Sequence, residues 1–197
     1  MTWNRNVNTY PHEVLWRAAK SSLRSATVQH DHIREDHLAI LSLLAGFLAF
    51  EGFVNMIGSE VAPDAWSKER KFFSTGKHRG IMGKVDYLFT LFPGIKLNKE
   101  TPPYLTFAQV KEVRDSIAHN KPVKYLEKSD SHFPECLMPW SDFKALDDVS
   151  QALDHLKELA ELIRTGALSI LKEEYALSHI HYRAFGGPIL SSHGEEV

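Results

Sequence analysis

Apolar side chains recur at intervals of three and four residues along most of the chain, which is the spacing of one face of an α-helix. The pattern predicts five helices over residues 11–29, 36–57, 63–75, 81–92 and 106–120, and a last long helix over residues 141–176. No stretch alternates regularly enough between apolar and polar residues to indicate a β-strand. We therefore expect an all-α bundle of four to five main helices, forming a single domain over residues 1–183 with a flexible tail at 184–197.

The predicted helix ends coincide with residues that start or stop helices. Gly58 follows the helix at 36–57, and the proline-containing segment 95–105 is expected to be a loop. Thr106 and Gln109 have the spacing of a capping box, in which each side chain accepts a hydrogen bond from a backbone N–H at the start of a helix. Residues 121–139 contain prolines at 122, 134 and 139 and predict an irregular insertion.

Segment 36–57 is apolar on almost every side and predicts the central helix of the bundle. Its continuous apolar run, residues 38–50, is shorter than the roughly 20 residues that cross a bilayer, and polar Glu51 and Asn55 follow it. The N-terminus lacks the apolar stretch of a signal peptide. These observations predict a cytoplasmic protein without a membrane segment, in which Cys136 is a reduced structural thiol.

The charges of the chain are unevenly distributed. The 197 residues include 23 Lys and Arg and 25 Asp and Glu, giving a net charge of -2, and one cysteine, which excludes a disulfide framework. The predicted last helix is acidic, whereas residues 68–84 are basic with interleaved aromatic residues. Such a segment attracts a nucleic-acid backbone, although a merely solvated cationic face has the same composition. The predicted RNA-backbone patch consists of Lys68, Arg70, Lys71, Lys77, Arg79 and Lys84.

The end of helix 106–120 carries the side chains with the clearest chemistry. Arg114 presents a planar fork of donors that suits phosphate, and His119 suits proton transfer because it carries an imidazole, the side chain commonly used for that purpose near neutral pH. Asp115 lies four residues before His119, which is close enough on a helix to orient the imidazole. Arg114 and His119 are about 140° apart around an ideal helix, so they do not sit side by side within one regular helix. The long reach of the Arg114 side chain, a distorted helix end near residues 120–122 or a two-fold dimer would bring them together.

Two segments of the chain together resemble the HEPN domain family. One is Arg114-Asp115-Ser116-Ile117-Ala118-His119-Asn120, and the other is Ala49-Phe50-Glu51-Gly52-Phe53-Val54-Asn55, which is similar to a Glu- and Asn-containing run on the preceding long helix of many such proteins. The resemblance spans about residues 36–120. It implies an all-α fold and a metal-independent endoribonuclease of toxin or defence type, in which the ribose 2′-OH attacks the adjacent phosphate.

The same resemblance implies how the site is built. Arg114 and His119 would be catalytic with Asp115, and Asn120, Glu51 and Asn55 would support them. The site would form at the interface of a homodimer, without a cofactor, acting on RNA and regulated by an antitoxin or another partner.

Two other functions fit the sequence. One is a non-catalytic HEPN-like module that binds a nucleotide, RNA or protein. The other is a structural helical dimer, in which Arg114 neutralises Glu51 within an apolar environment. The histidines and acids between residues 30 and 37 suggest a weak metal site, but their spacing matches no strong ligand pattern, and we expect no metal.

Overall fold

The computed structural model describes residues 11–29, 32–119, 140, 143 and 145–171, and the regular elements within these residues are all helical. Five helices have 12 residues or more, which confirms the predicted all-α class and the number of main helices. The helices are α1 (Pro11–Ala26), α2 (His32–Val61), α3 (Pro63–Ser67), α4 (Glu69–Phe72), α5 (Gly80–Leu91), α6 (Pro102–His119) and α7 (Leu146–Leu168).

Helix α2 is the centre of the bundle and contacts α1, α3, α5, α6 and α7. Its Phe47, Phe50 and Phe53 side chains are completely buried. Phe107 of α6 lies against two of these rings, with centroid distances of 6.0 Å to Phe47 and 4.9 Å to Phe50. Burying an aromatic side chain of this size stabilises the fold by about 1.5–3 kcal/mol, so this aromatic contact holds α6 firmly against α2.

The predicted end of α2 at Gly58 is wrong, because the helix continues to Val61. A Cβ atom at residue 58 would overlap the indole ring of Trp66. The glycine therefore serves close packing between α2 and α3 and does not terminate the helix. At its other end α2 begins at His32, four residues earlier than predicted.

The helix predicted over residues 63–75 is in fact two short helices. Lys68, between α3 and α4, has non-helical dihedral angles of φ −112° and ψ 28°. In a continuous helix Trp66 and Phe73 would be separated by about 10 Å along the axis. The break instead brings their rings to a centroid distance of 4.8 Å, and both are buried. Aromatic packing in three dimensions therefore overrides the helical periodicity here.

The predicted capping box at Thr106 and Gln109 is also wrong, because α6 begins at Pro102. Proline suits a first helical turn, where its missing N–H has no helical acceptor. The carbonyl of Thr101 accepts the N–H groups of Tyr104 and Leu105, each at 3.1 Å. Thr106 lies inside the helix, and its hydroxyl is 2.8 Å from Nδ1 of His155 on α7.

The remaining boundaries differ modestly from the predictions. Helix α1 ends at Ala26, α5 is shifted by one residue, and α7 begins at Leu146, where the Asp148 carboxylate accepts the N–H of Ala145 at 3.1 Å. The insertion 121–139, Cys136, the predicted helix end at 172–176 and the tail 184–197 lie outside the described residues.

Helix α2 is long and apolar enough to cross a membrane when only length and composition are considered. Half of its most apolar stretch is buried inside the protein, as in a core helix. The cytoplasmic location and the absence of a membrane contact remain predictions.

Gly83 of α5 provides a test of the packing near α4. A Cβ atom there would overlap the backbone carbonyl of His78, which cannot rotate away as a side chain would. We expect Gly83→Ala to lower the free energy of unfolding by about 2 kcal/mol, measured by urea denaturation. Thr90→Ala, at an exposed position of the same helix, serves as the control and should change it by less than about 0.5 kcal/mol. Equal stability of Gly83→Ala and the native protein would contradict this packing.

His12 makes stability depend on pH. The side chain is buried in the first turn of α1 with its ring 5.9 Å from that of Phe53, and burial lowers its pKa from 6.5 to about 4. The unfolded chain takes up a proton below about pH 6.5, whereas the folded protein does so only near pH 4. The stability is therefore complete above pH 6.5 and falls by up to about 3 kcal/mol as the pH is lowered to 4.

The measurement is urea unfolding between pH 7.5 and 4.5. Replacing His12 with Leu should remove this part of the pH dependence, and the same change at exposed His37 should leave it intact. If His12→Leu retains the native slope, the buried neutral imidazole is not its source.

Candidate functional site

The polar residues of α2 that the sequence singled out lie on one edge of the helix. Glu51 and Asn55 are four residues apart and therefore project from the same side. Both are partly buried, while Phe50, Phe53 and Val54 around them are completely buried. A polar group in such surroundings is costly unless it has a partner, so this edge requires hydrogen-bond donors from other helices.

Arg114 of α6 supplies the donors for Glu51. Its Nη2 donates to Oε2 of Glu51 at 2.8 Å, and its Nη1 donates to Oδ1 of the adjacent Asp115 at 2.7 Å. The guanidinium carbon lies 5.3 Å from the centroid of the Phe47 ring. With 27% of the Arg114 side chain exposed, the group is oriented by its partners yet still accessible to solvent.

These contacts affect the pKa values of both Arg114 and Asp115. Partial burial acts against the charge of Arg114, but the hydrogen bond and charge of Glu51, followed by those of Asp115, outweigh it and raise the pKa of Arg114. Burial likewise acts against the charged form of Asp115, but Lys111 and then Arg114 outweigh it and lower the pKa of Asp115. Nζ of Lys111 is 3.0 Å from Oδ2 of Asp115. All three groups are therefore charged near neutral pH.

His119 stands apart from this network. It is exposed at the last position of α6 and forms no hydrogen bond or ion pair with Arg114 or Asp115. Asp115, which was expected to orient the imidazole, instead binds Arg114 and Lys111. The structure thus brings together Glu51, Arg114 and Asp115 but does not add His119 to them, and Asn120 lies outside the described residues.

Lys84 of α5 supplies the donor for Asn55. Its Nζ donates to Oδ1 of Asn55 at 2.7 Å and forms a second, short hydrogen bond to Oε1 of Glu69 on α4. Nε1 of Trp66 is 3.4 Å from the same Asn55 oxygen. Lys84 is only 5% exposed, so it does not belong to the surface patch predicted for it.

The sequence contained a signal for this burial. Lys84 occupies the same helical stripe as Ile81, Val85 and Leu88, all of which are buried. A lysine within an apolar stripe indicates a buried cation that needs an acceptor. Glu69, which accepts the hydrogen bond of Lys84, was not predicted. Its position depends on the break between α3 and α4, which the sequence did not predict.

The other five members of the predicted RNA-backbone patch are exposed. Phe72 lies among them with 40% of its surface exposed, and its ring meets that of Tyr87 at a centroid distance of 5.0 Å. The patch therefore combines exposed cations with an aromatic ring. Its exposed cations are Lys68, Arg70, Lys71, Lys77 and Arg79.

A cavity of about 230 Å³ lies between α2, α4 and the beginning of α5. Glu51 lines it, so the cavity adjoins the Arg114 network through that carboxylate. A larger cavity of about 550 Å³ lies on the α6–α7 surface, where acidic residues line it and would repel phosphate. The smaller cavity is lined by Glu51, Glu69, Arg70, Phe73, Ser74, Ile81 and Lys84, together with Gly80.

The described residues also bear on the metal site considered above. No group of three or more His, Cys, Asp or Glu side chains within them is arranged to hold a metal ion. Of the candidate ligands near the start of α2, residues 30 and 31 and the side chain of His32 lie outside the described part of the structure.

Comparison of the chain with protein-family models, with curated proteins and with solved structures found no match.

Proposed function

We propose that this protein is a metal-independent endoribonuclease of the toxin or defence type that the HEPN resemblance implies, with Arg114 and His119 at its site. The orientation of Arg114 carries the proposal. Glu51 and Asp115 hold its guanidinium at the surface of α6, the helix that ends with exposed His119. A fixed, accessible guanidinium suits the developing charge on a phosphoryl group because the donors need no reorganisation.

The reaction would proceed by transfer within the RNA. The 2′-oxygen forms a bond to the adjacent phosphorus, the bond from phosphorus to the 5′-oxygen breaks, and the products are a cyclic phosphate and a 5′-hydroxyl end. The attacking hydroxyl loses a proton and the leaving oxygen gains one. His119 would carry out one of these proton transfers, and N–H groups of Arg114 would bind the phosphoryl oxygens.

A homodimer would complete this site. Arg114 and His119 are separated by about 7.5 Å along the helix axis and form no hydrogen bond with each other within one chain. A second copy would bring its own His119, so that one imidazole accepts a proton and the other donates one. Regulation by an antitoxin or another partner protein is part of the same proposal.

A second function, a non-catalytic module that binds RNA or a nucleotide, is favoured by a specific observation. Glu51 and Asp115 already satisfy the charge of Arg114, as in an ion pair that serves stability. In that case the exposed cations of residues 68–79 would bind RNA without cleavage.

Cleavage of single-stranded RNA in the presence of EDTA tests the proposal. We expect His119→Gln to lower the cleavage rate by about 100-fold or more, because a proton-transfer group is lost. Arg114→Lys, which retains the positive charge but loses the planar fork, should also lower it strongly. The control is His37→Gln, another exposed histidine, which should cleave at the native rate.

The possible outcomes separate the two functions. Native protein that binds RNA but cleaves no faster than a protein-free blank would support the binding module instead. Cleavage that persists in both His119→Gln and Arg114→Lys would place the site elsewhere. Helical content and thermal unfolding of each variant show whether a loss of activity reflects a loss of folding.

A further inference from the structure

The cavity between α2, α4 and α5 has an uneven charge distribution. Its two carboxylates each have a cation of their own, since Arg114 binds Glu51 and Lys84 binds Glu69. Arg70 also lines the cavity but forms no hydrogen bond or ion pair with any described residue. The wall itself holds two carboxylates and two cations, so its net charge is zero, but Arg70 is the cation of this wall that has no partner among the described residues and can bind a negative group.

The wall also offers both donors and acceptors. Oε1 of Glu51 and Oε2 of Glu69 are not used in the ion pairs and can accept hydrogen bonds. Oγ of Ser74 donates to the carbonyl of Lys71 at 3.2 Å and keeps its lone pairs as acceptors. Such acceptors bind hydroxyl groups. A sugar supplies several hydroxyl groups, whereas inorganic phosphate has none apart from those of the phosphate group itself.

Buried Lys84 neutralises Glu69, the carboxylate of the wall that would otherwise repel an anion. Its ammonium is fixed between Asn55 and Glu69, and it remains part of the cavity wall. Helix α5 begins beside it, and its N-cap residue Arg79 makes no side-chain cap hydrogen bond. The N–H of Gly80 at the start of this helix already donates to the carbonyl of Phe73 at 2.9 Å, so α5 contributes the weak positive potential of its dipole and not a free N–H of its first residue.

The size of the cavity limits the ligand. Its volume of about 230 Å³ is below the roughly 300–1,000 Å³ that is typical of sites for drug-sized molecules. A phosphate joined to one sugar is therefore more suitable than a larger ligand. The sugar hydroxyls would meet the carboxylate oxygens, and the phosphate would meet Arg70.

We propose that this cavity binds the phosphate and ribose of one ribonucleotide unit. This inference deepens the proposed function, because the ligand would be the RNA unit next to the one whose phosphate lies at Arg114. Glu51 connects the two positions, since it binds Arg114 and also lines the cavity.

The test is titration of isotope-labelled protein with ribose 5-phosphate, followed by nuclear magnetic resonance. The protein carries His119→Gln, so the experiment reports binding without any cleavage. We expect the largest amide shifts at Ser74, Gly80 and Ile81. Inorganic phosphate should bind more weakly than ribose 5-phosphate, and ribose without phosphate should cause no shift.

A matched pair of variants identifies the cation responsible. Arg70→Gln should weaken the binding of ribose 5-phosphate by about tenfold, because a charge-assisted hydrogen bond is lost. Lys71→Gln removes an equally exposed cation of α4 that does not line this cavity, and it should change the affinity by less than about twofold. Both positions are exposed, so both variants are expected to fold.

Other results overturn the proposal. Equal weakening by Arg70→Gln and Lys71→Gln would indicate general attraction to the basic surface, as would shifts spread over residues 68–79. Equal binding of ribose and ribose 5-phosphate would exclude an anion site. Cleavage is assayed on the native protein and binding on His119→Gln. If the native protein does not cleave RNA while ribose 5-phosphate still binds, only the nuclease is refuted. An active protein that does not bind it refutes only the cavity.

Discussion

The fold depends on the hydrogen bonds that Glu51 and Asn55, two polar residues on a largely apolar central helix, receive from other helices. Half of the most apolar stretch of α2 is buried, yet the helix carries Glu51 and Asn55 one turn apart. Each polar group receives a cation from a different helix, Arg114 from α6 and Lys84 from α5. Apolar packing tolerates small shifts between helices, whereas a hydrogen bond to a charged group requires a narrow range of distance and direction. These two pairs therefore fix the positions of α5 and α6 relative to α2.

The same pairs determine which charges remain available for a ligand. Lys84 and Arg114 are both engaged, so their main effect is to neutralise the carboxylates that would otherwise repel phosphate. The charge left over is that of Arg70 in the cavity and of the other exposed cations of residues 68–79. The near-zero net charge of the chain is thus an average over the basic residues 68–79 and the acidic α7.

The sequence predicts those features that depend on neighbouring residues and misses those that depend on contacts between separate elements. Periodicity predicts the long helices because a helical face repeats locally, and on α6 the two residues Phe107 and Val110, three positions apart, are both completely buried. The break between α3 and α4 was not predictable, because it depends on a contact between Trp66 and the distant Tyr87 and Phe73 rings. The pairing of Arg114 with Glu51 was predictable as an alternative, because an unpaired charge in an apolar environment is costly. Each of the two helices shows such a charge in its own sequence.

The basic segment shows why burial has to be known before a charged residue is assigned a role. Lys71 and Lys84 carry the same charge within the basic segment, but Lys71 is exposed, whereas Lys84 lies in an apolar helical stripe and is sealed between Asn55 and Glu69. Removing the first costs little, whereas removing the second leaves Asn55 and Glu69 without their shared donor in a partly buried site. Glu51 has two roles, because one of its carboxylate oxygens orients Arg114 and its side chain also borders the cavity. A ligand that hydrogen-bonds to Glu51 from the cavity would therefore act directly on the group that positions Arg114.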